Sequence, residues 1–179
     1  MPVTEFAILN LTGPSERLPY TYSVLIRARG ILTSASGLPF HIYSSLKNER
    51  RLYLLGHWDS TAAHHAFLPS PENQALLGDL DGLLEVESMF HLDVDRNDLP
   101  LESGKVAFMR IRIAKEELDS EKMEGNGGWR IEESAEGDER VQFRDASIGD
   151  EWKWEESGAF EEDVVVDFEE SLARRAGAE

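Results

Sequence analysis

Trp58-Asp59-Ser60-Thr61-Ala62-Ala63-His64-His65-Ala66-Phe67 is the stretch whose reading decides the fold. A strand-like run, Arg51 to His57, leads into it, and a helix-like run reaching about Leu84 follows. An aromatic residue therefore closes a strand. Ser60 stands where a helix begins, and its hydroxyl can accept from backbone N–H groups two or three residues on. His64 then falls on the first helical turn. Pro69 and Pro71 interrupt the hydrogen-bond ladder, which predicts a short helix at 60–67 and a second at 71–81, ended by Asp81-Gly82.

Outward from this point the first half reads as β-α-β-β-α-β. Glu5 to Leu11 is the first strand, stopped by Gly13-Pro14. Leu18, Tyr22, Leu25, Arg29 and Leu32 recur at helical spacing, and four of the five are apolar, so one helical face is buried. Gly37 and Pro39 end that helix, Phe40 to Tyr43 form the next strand, and Lys47 to Arg50 turn the chain into Arg51 to Trp58. Glu85 to Val94 is the fourth strand, with Val86, Ser88, Phe90, Leu92 and Val94 expected on one face.

Residues 97–104 are a polar linker, after which the pattern restarts. Lys105 to Ile113 alternates as a strand, and Lys115 to Met123 leaves room for a short helix. Gly125-Asn126-Gly127-Gly128 reads as a turn, and Trp129 to Glu132 with Arg140 to Phe143 as a hairpin. A helix-like tail is expected from about Ile148 to Arg175. Within it Val164-Val165-Val166 favour strand by propensity, whereas the four-residue spacing of Phe160, Val164, Phe168 and Leu172 favours helix, the reading preferred here.

The 179 residues fit one large or two small domains. There is no cysteine, which excludes disulfides, thiolate chemistry and cysteine-based metal sites. The N-terminus lacks a basic region followed by an apolar core, and no apolar run approaches a membrane span, so a soluble cytoplasmic protein is expected. The net charge is −17, with 11 acids against 7 bases in residues 1–96 and 24 against 11 thereafter. Such a surface repels phosphate backbones, so nucleic acid is not an expected partner. His91, Asp93 and Asp95 alternate along one strand, but no second cluster completes a shell, so they read as a hydrated strand edge and no metal is expected. No phosphate loop, Gly-x-Gly-x-x-Gly or Gly-x-Ser-x-Gly is present.

The strand-closing Trp58, the capped turn and His64 resemble the antibiotic-biosynthesis-monooxygenase branch of the dimeric α+β barrel proteins, particularly its fungal two-repeat members. Gly127-Gly128-Trp129-Arg130-Ile131 is similar to the second-repeat strand of those members. The resemblance implies an α+β fold of tandem ferredoxin-like repeats closing a barrel within one chain. Repeat one spans 1–96. A degenerate repeat two, with an acidic C-terminal segment, spans 105–179 and offers Asp145-Ala146-Ser147 where a tryptophan–acid–serine turn would stand.

It also implies a pocket between one sheet face and two helices. Trp58 and His64 are the candidate catalytic residues, and Leu54 and Phe67 the candidate lining. His41 and Tyr43 are candidate substrate-binding residues, because they could meet His57 and Tyr53 across a hairpin as a histidine–tyrosine acid–base couple. Gly56 leaves room for a ligand or a packed side chain, and His65, about 100° round the helix, points elsewhere. Leu77 stands where heme-degrading relatives carry an axial histidine, so heme is not expected. Leu54 stands where aromatic-polyketide oxidases carry an asparagine.

The implied function is cofactor-independent oxygenation or cyclisation of a small aromatic or polyketide-like molecule in the pocket of repeat one. The alternatives are a non-catalytic small-molecule-binding or stress-related barrel without an active site, and a protein-interaction module using the acidic half. Exposed edges of a short second repeat could pair with another chain, which makes a homodimer an expectation.

Overall fold

The computed structural model describes residues 1–101, 103–112, 126–134, 137–147 and 159–175. The expected helix at Lys115–Met123 lies outside the described residues. Eight antiparallel strands form one sheet: β1 (Val3–Leu11), β2 (His41–Ser45), β3 (Arg51–Trp58), β4 (Leu84–Leu92), β5 (Lys105–Arg112), β6 (Asn126–Trp129), β7 (Glu139–Asp145) and β8 (Ala159–Asp167). Their order is β4-β1-β3-β2-β8-β5-β7-β6. The helices are α1 (Leu18–Ser36), α2 (Thr61–Phe67), α3 (Pro71–Leu80) and α4 (Phe168–Arg175). None among the described residues is long and apolar enough to cross a membrane.

The outer strands of this sheet come together at one end. Leu92, closing β4, bridges Arg130 just past β6, and Asp93 N–H donates to the Trp129 carbonyl at 3.0 Å while Ile131 N–H donates to the His91 carbonyl at 2.8 Å. The sheet is thus a nearly closed barrel. Gly127 and Gly128, expected in a turn, lie in β6 at this seam. A Cβ on Gly127 would stand 2.4 Å from the Val141 carbonyl oxygen, and one on Gly128 2.8 Å from Val94 Cβ. Two glycines let the strands approach where side chains would hold them apart.

The tail is the main correction. Residues 159–167 form a strand that pairs with both β2 and β5, a helix follows at Phe168–Arg175, and residues 148–158 of the expected helix lie outside the described residues. The β-branched run won over four-residue spacing because β8 is flanked by strands on both sides, where Val165 and Val166 are buried.

Alternation along the strands makes two cores. Phe6, Tyr53, Phe90, Phe108 and Phe143 fill the barrel interior, with neighbouring ring centroids 4.5–6.1 Å apart. Ala7, Leu9, Leu52, Leu54 and Trp58 face the other way and meet Leu25 of α1 and Phe168 of α4. The strand that was expected to keep one face from Val86 to Val94 does not. Ile8 pairs with Ser88 but Leu9 with Val86, leaving Glu87 as an extra residue. This bulge turns Val86 onto the helix-covered face, while Phe90 and Leu92 stay inside the barrel.

Candidate functional site: a cavity under the helices

Glu5 lies at the centre of the site. In the alternation Val3, Glu5, Ala7, Leu9, Leu11 it is the one charged side chain on the helix-facing side of β1, and it is 2% exposed. The register sets it between Gly56 of β3 and His91 of β4. Gly56 leaves its space to a packed side chain: a Cβ there would lie 1.9 Å from Cε1 of Phe40. Trp58, on the same face as Gly56, donates its indole N–H to Glu5 Oε2 at 2.7 Å.

The helix supplies the second half of the site. Ser60 Oγ accepts from the Ala63 N–H at 3.1 Å, the cap read from sequence, and Pro71 starts α3 after the break. This cap sets the first turn of α2, and His64 comes down onto Trp58 with ring centroids 4.8 Å apart and planes 11° from parallel. Its Nε2 lies 3.6 Å from Glu5 Oε2. Its Nδ1 is 2.9 Å from Nε2 of His91. Nδ1 of His91 is in turn 2.5 Å from Glu132 Oε1, and the His91 backbone N–H donates to Glu132 Oε2 at 2.9 Å.

Burial sets the charges. It pushes the Glu5 carboxyl up to about 7, against the pull of the Trp58 hydrogen bond. It pushes His64 down to about 4, helped by the neighbouring His91 and His65 and opposed by Glu132. Burial also works to raise Glu132, but the hydrogen bonds from His91 outweigh it and hold that carboxyl below its ordinary value. Near neutrality, then, His64 is a neutral imidazole, Glu132 is a carboxylate, and Glu5 is poised between its two forms. A group poised near the working pH is what general acid–base chemistry requires.

Glu5 and His64 open into a cavity of about 320 Å³ between the sheet and helices α1, α2 and α3. Ala7, Leu9 and Leu54 form its floor, and Phe67 and Leu76 its roof. Leu77, Val86 and Met89, all substantially exposed, stand at its rim. Apart from Glu5, His64 and Asn73 the lining is apolar.

Of the residues singled out from sequence, His64, Leu54 and Phe67 line this cavity. Trp58 does not: it is buried behind His64, against Phe40 at 5.6 Å and Phe67 at 5.4 Å between centroids. His41 and Tyr43 are on the wrong side of the sheet. Tyr43 belongs to the barrel interior, with its hydroxyl 3.3 Å from the Leu101 carbonyl, and His41 stacks beside it. Period-two alternation requires this, since Ile42 between them faces the cavity. Tyr43 and Tyr53 pair across the hairpin, Tyr53 donates to Asp163 at 2.9 Å, and His57 sits 3.1 Å from the Thr4 hydroxyl. His65 is exposed, as expected.

His91 is buried rather than on a hydrated edge, and Asp93 and Asp95 are occupied separately, accepting from the backbone N–H groups of Trp129 and Asn97. Among the described residues no group of three or more ligand-type side chains could hold a metal ion. Glu5 and Glu132 were missed from sequence, and His91 was read only as part of a strand edge. A signal existed for Glu5, a lone carboxylate in an apolar alternation. None existed for Glu132, which reaches His91 only through the barrel seam.

No family model and no curated protein matches this chain. Solved structures do. A chlorite dismutase variant from Candidatus Nitrospira defluvii is similar over 99% of this chain and 96% of its own, at 11% identity and a TM-score of 0.58. A provisionally assigned antibiotic biosynthesis monooxygenase of Bordetella bronchiseptica matches 52% of this chain and 97% of its own, at 20% identity and a TM-score of 0.46. SnoaB, a cofactor-independent oxygenase from Streptomyces nogalater, matches 55% of this chain and 97% of its own, at 18% identity and a TM-score of 0.45. The first of these extends over nearly the whole of both chains and shows a shared α+β barrel fold.

Proposed function

We propose that this protein is a tailoring enzyme that binds a small, largely aromatic and oxygenated molecule in the cavity under α1–α3 and acts on it by proton transfer, without a cofactor. The observation that carries this reading is the Glu5–His64 pair: two acid–base groups, both buried, at the inner end of an otherwise apolar cavity. About 300–1,000 Å³ is usual for small-molecule sites, and few polar groups in an apolar lining is their usual character. A cavity of about 320 Å³ suits two or three fused rings rather than a long chain.

The chemistry follows from the groups. Glu5 as carboxylate, or neutral His64 through Nε2, removes a proton from a phenol or from a carbon made acidic by flanking aryl and carbonyl groups. The resulting anion either closes on a carbonyl within the same molecule, as in cyclisation, or gives its electrons to dioxygen. Trp58 holds Glu5 and His64 in place, and Leu54 and Phe67 hold the rings.

One further feature belongs to the same proposal. The second four strands run in the order β8-β5-β7-β6, which repeats β4-β1-β3-β2 of the first four. This favours a tandem repeat divided near 97–104, with the working cavity in the first half.

The test is titration of the protein with a hydroxylated anthrone, reading tryptophan fluorescence and oxygen uptake. Binding should quench the wild type more than Trp58→Phe. Glu5→Gln and His64→Ala should each lower turnover about 10²–10⁴-fold, the usual reach of a general base, and His65→Ala should leave it unchanged. Equal losses in His64→Ala and His65→Ala would refute the assignment. Binding without turnover would leave a small-molecule-binding barrel.

A further inference from the structure

We propose that His91 and Glu132 form with His64 a carboxylate–imidazole–imidazole relay that fixes His64 Nε2 as a bare proton acceptor facing the cavity and conducts protons between that atom and the protein surface. The inference rests on the cavity reading above, and it assigns a working role to a residue from the second half of the chain.

The argument is one of donors and acceptors, taken from the outer end inward. Glu132 is held as a carboxylate and can only accept. Its Oε2 takes the His91 backbone N–H, and its Oε1 stands 2.5 Å from His91 Nδ1, so that nitrogen must carry the proton. A neutral His91 then has Nε2 as an acceptor. The atom 2.9 Å away is Nδ1 of His64, which must therefore be the donor. Neutral His64 is left with its proton on Nδ1 and a lone pair on Nε2. That lone pair faces Glu5 Oε2 at 3.6 Å and the cavity. With one proton on each imidazole, the tautomers along the line follow from the carboxylate at Glu132.

Such a line can also move a proton. A proton accepted at His64 Nε2 releases the one on Nδ1 to His91 Nε2. His91 then passes its Nδ1 proton to Glu132, whose side chain is 35% exposed and can lose it to water. Each hop makes one N–H or O–H bond and breaks one, and the line resets when a proton taken up at Glu132 runs back through His91 to His64 Nδ1 while His64 Nε2 delivers its proton to the molecule in the cavity. The titratable groups facing this line are Glu5 from β1, His65 from α2 and Glu132 from beyond β6. The His65 ring lies 6.3 Å from His64 and 6.0 Å from His91. Trp58 supplies the neutral face under His64. His91 and Glu132 touch neither the cavity nor its contents, so they are positioning residues.

The experiment is a two-bond ¹H–¹⁵N correlation spectrum of the full chain without ligand, at about pH 7.5, which reads each histidine tautomer directly. Wild type should show both His64 and His91 protonated at Nδ1. Glu132→Ala removes the acceptor that anchors the line, and the Nε2–H fraction of His64 should rise about tenfold, what one hydrogen bond to a charged group sustains. Glu132→Gln, whose side-chain oxygen still accepts, should keep the wild-type tautomers. A wild-type His64 found mainly as Nε2–H, or a tautomer ratio unchanged in Glu132→Ala, overturns the relay. Should Glu132→Ala not fold, the wild-type spectrum and Glu132→Gln still decide. Because no ligand is present, this result is independent of whether the cavity binds an anthrone.

Discussion

Replacing Glu5 by Gln should stabilise the protein, and by an amount that grows with pH. Glu5 is 2% exposed and its carboxyl sits at about 7 rather than 4.5. A folded-state value above the unfolded one means that the native state binds the proton more tightly, so stability is full below about pH 4.5 and is lost as pH rises through about 7. The full loss is roughly 3.5 kcal/mol, from about 2.5 pKa units at about 1.4 kcal/mol each. Roughly 2 kcal/mol of it falls between pH 5.5 and pH 8, a range that stays clear of the isoelectric point near 4.6. Gln keeps the shape, its oxygen can accept from Trp58 Nε1, and its amide can donate to His64 Nε2.

His57 and His64 must be separated from this effect. Burial pushes both down to about 4, so each is protonated more readily in the unfolded chain, and stability from them rises with pH up to about 6.5. That trend opposes the one from Glu5 in wild type. The difference between Glu5→Gln and wild type removes it, because both proteins carry both histidines. Urea unfolding at pH 5.5, 6.5, 7.2 and 8, analysed by linear extrapolation, measures the difference at each pH. It should widen by roughly 2 kcal/mol across the series. A difference independent of pH would refute a buried, high-pKa Glu5 and remove the acid–base pair from the cavity.

Trp58→Phe deletes the N–H that favours the charged form of Glu5, so the Glu5 carboxyl should titrate above its wild-type value of about 7; carbon-13 NMR of the carboxyl reads this, and an unmoved or lowered titration would contradict the contact. Gly56→Ala drives a methyl into the Phe40 ring, whose Cε1 would be 1.9 Å away. It should cost about 1–3 kcal/mol or more, seen as a lower urea midpoint at unchanged slope; a neutral effect would mean that Phe40 does not fill that space.

How far the sequence carried depended on how local each signal was. The Ser60 cap, the two-proline break and the alternation of β3 are decided within a few residues, and those elements lie where they were read. The face carrying Leu54, Trp58 and His64 followed from the same local rules. Three features were decided by partners far along the chain. The Val86 face depends on a bulge against β1, which no pattern within residues 84–92 encodes. The strand at 159–167 depends on having β2 on one side and β5 on the other. The placement of Glu132 beside His91 depends on the seam of the barrel. His41 and Tyr43 are a different case, because their alternation was read correctly but the face was assigned to the pocket when it belongs to the interior.

That interior also explains why the acid–base groups stand outside the barrel. Tyr53 and Phe108, 4.5 Å apart between centroids, and Phe6, Phe90 and Phe143 around them leave the inside of the barrel filled. On the opposite face the strands carry smaller side chains at the matching positions: Ala7 follows Phe6, and Leu54 follows Tyr53. The helices cannot close down onto these, because the break at Pro69 and Pro71 splits the cover into α2 and α3 and the bulge swings Val86 outward. The space left is the cavity. A carboxyl group can persist at its inner end because Trp58 donates to its oxygen and, when the carboxyl is protonated, the His64 Nε2 lone pair faces its O–H in place of water. Removing that support should be costlier than removing any one apolar wall residue of similar size, since it would leave a buried carboxyl without its indole hydrogen bond.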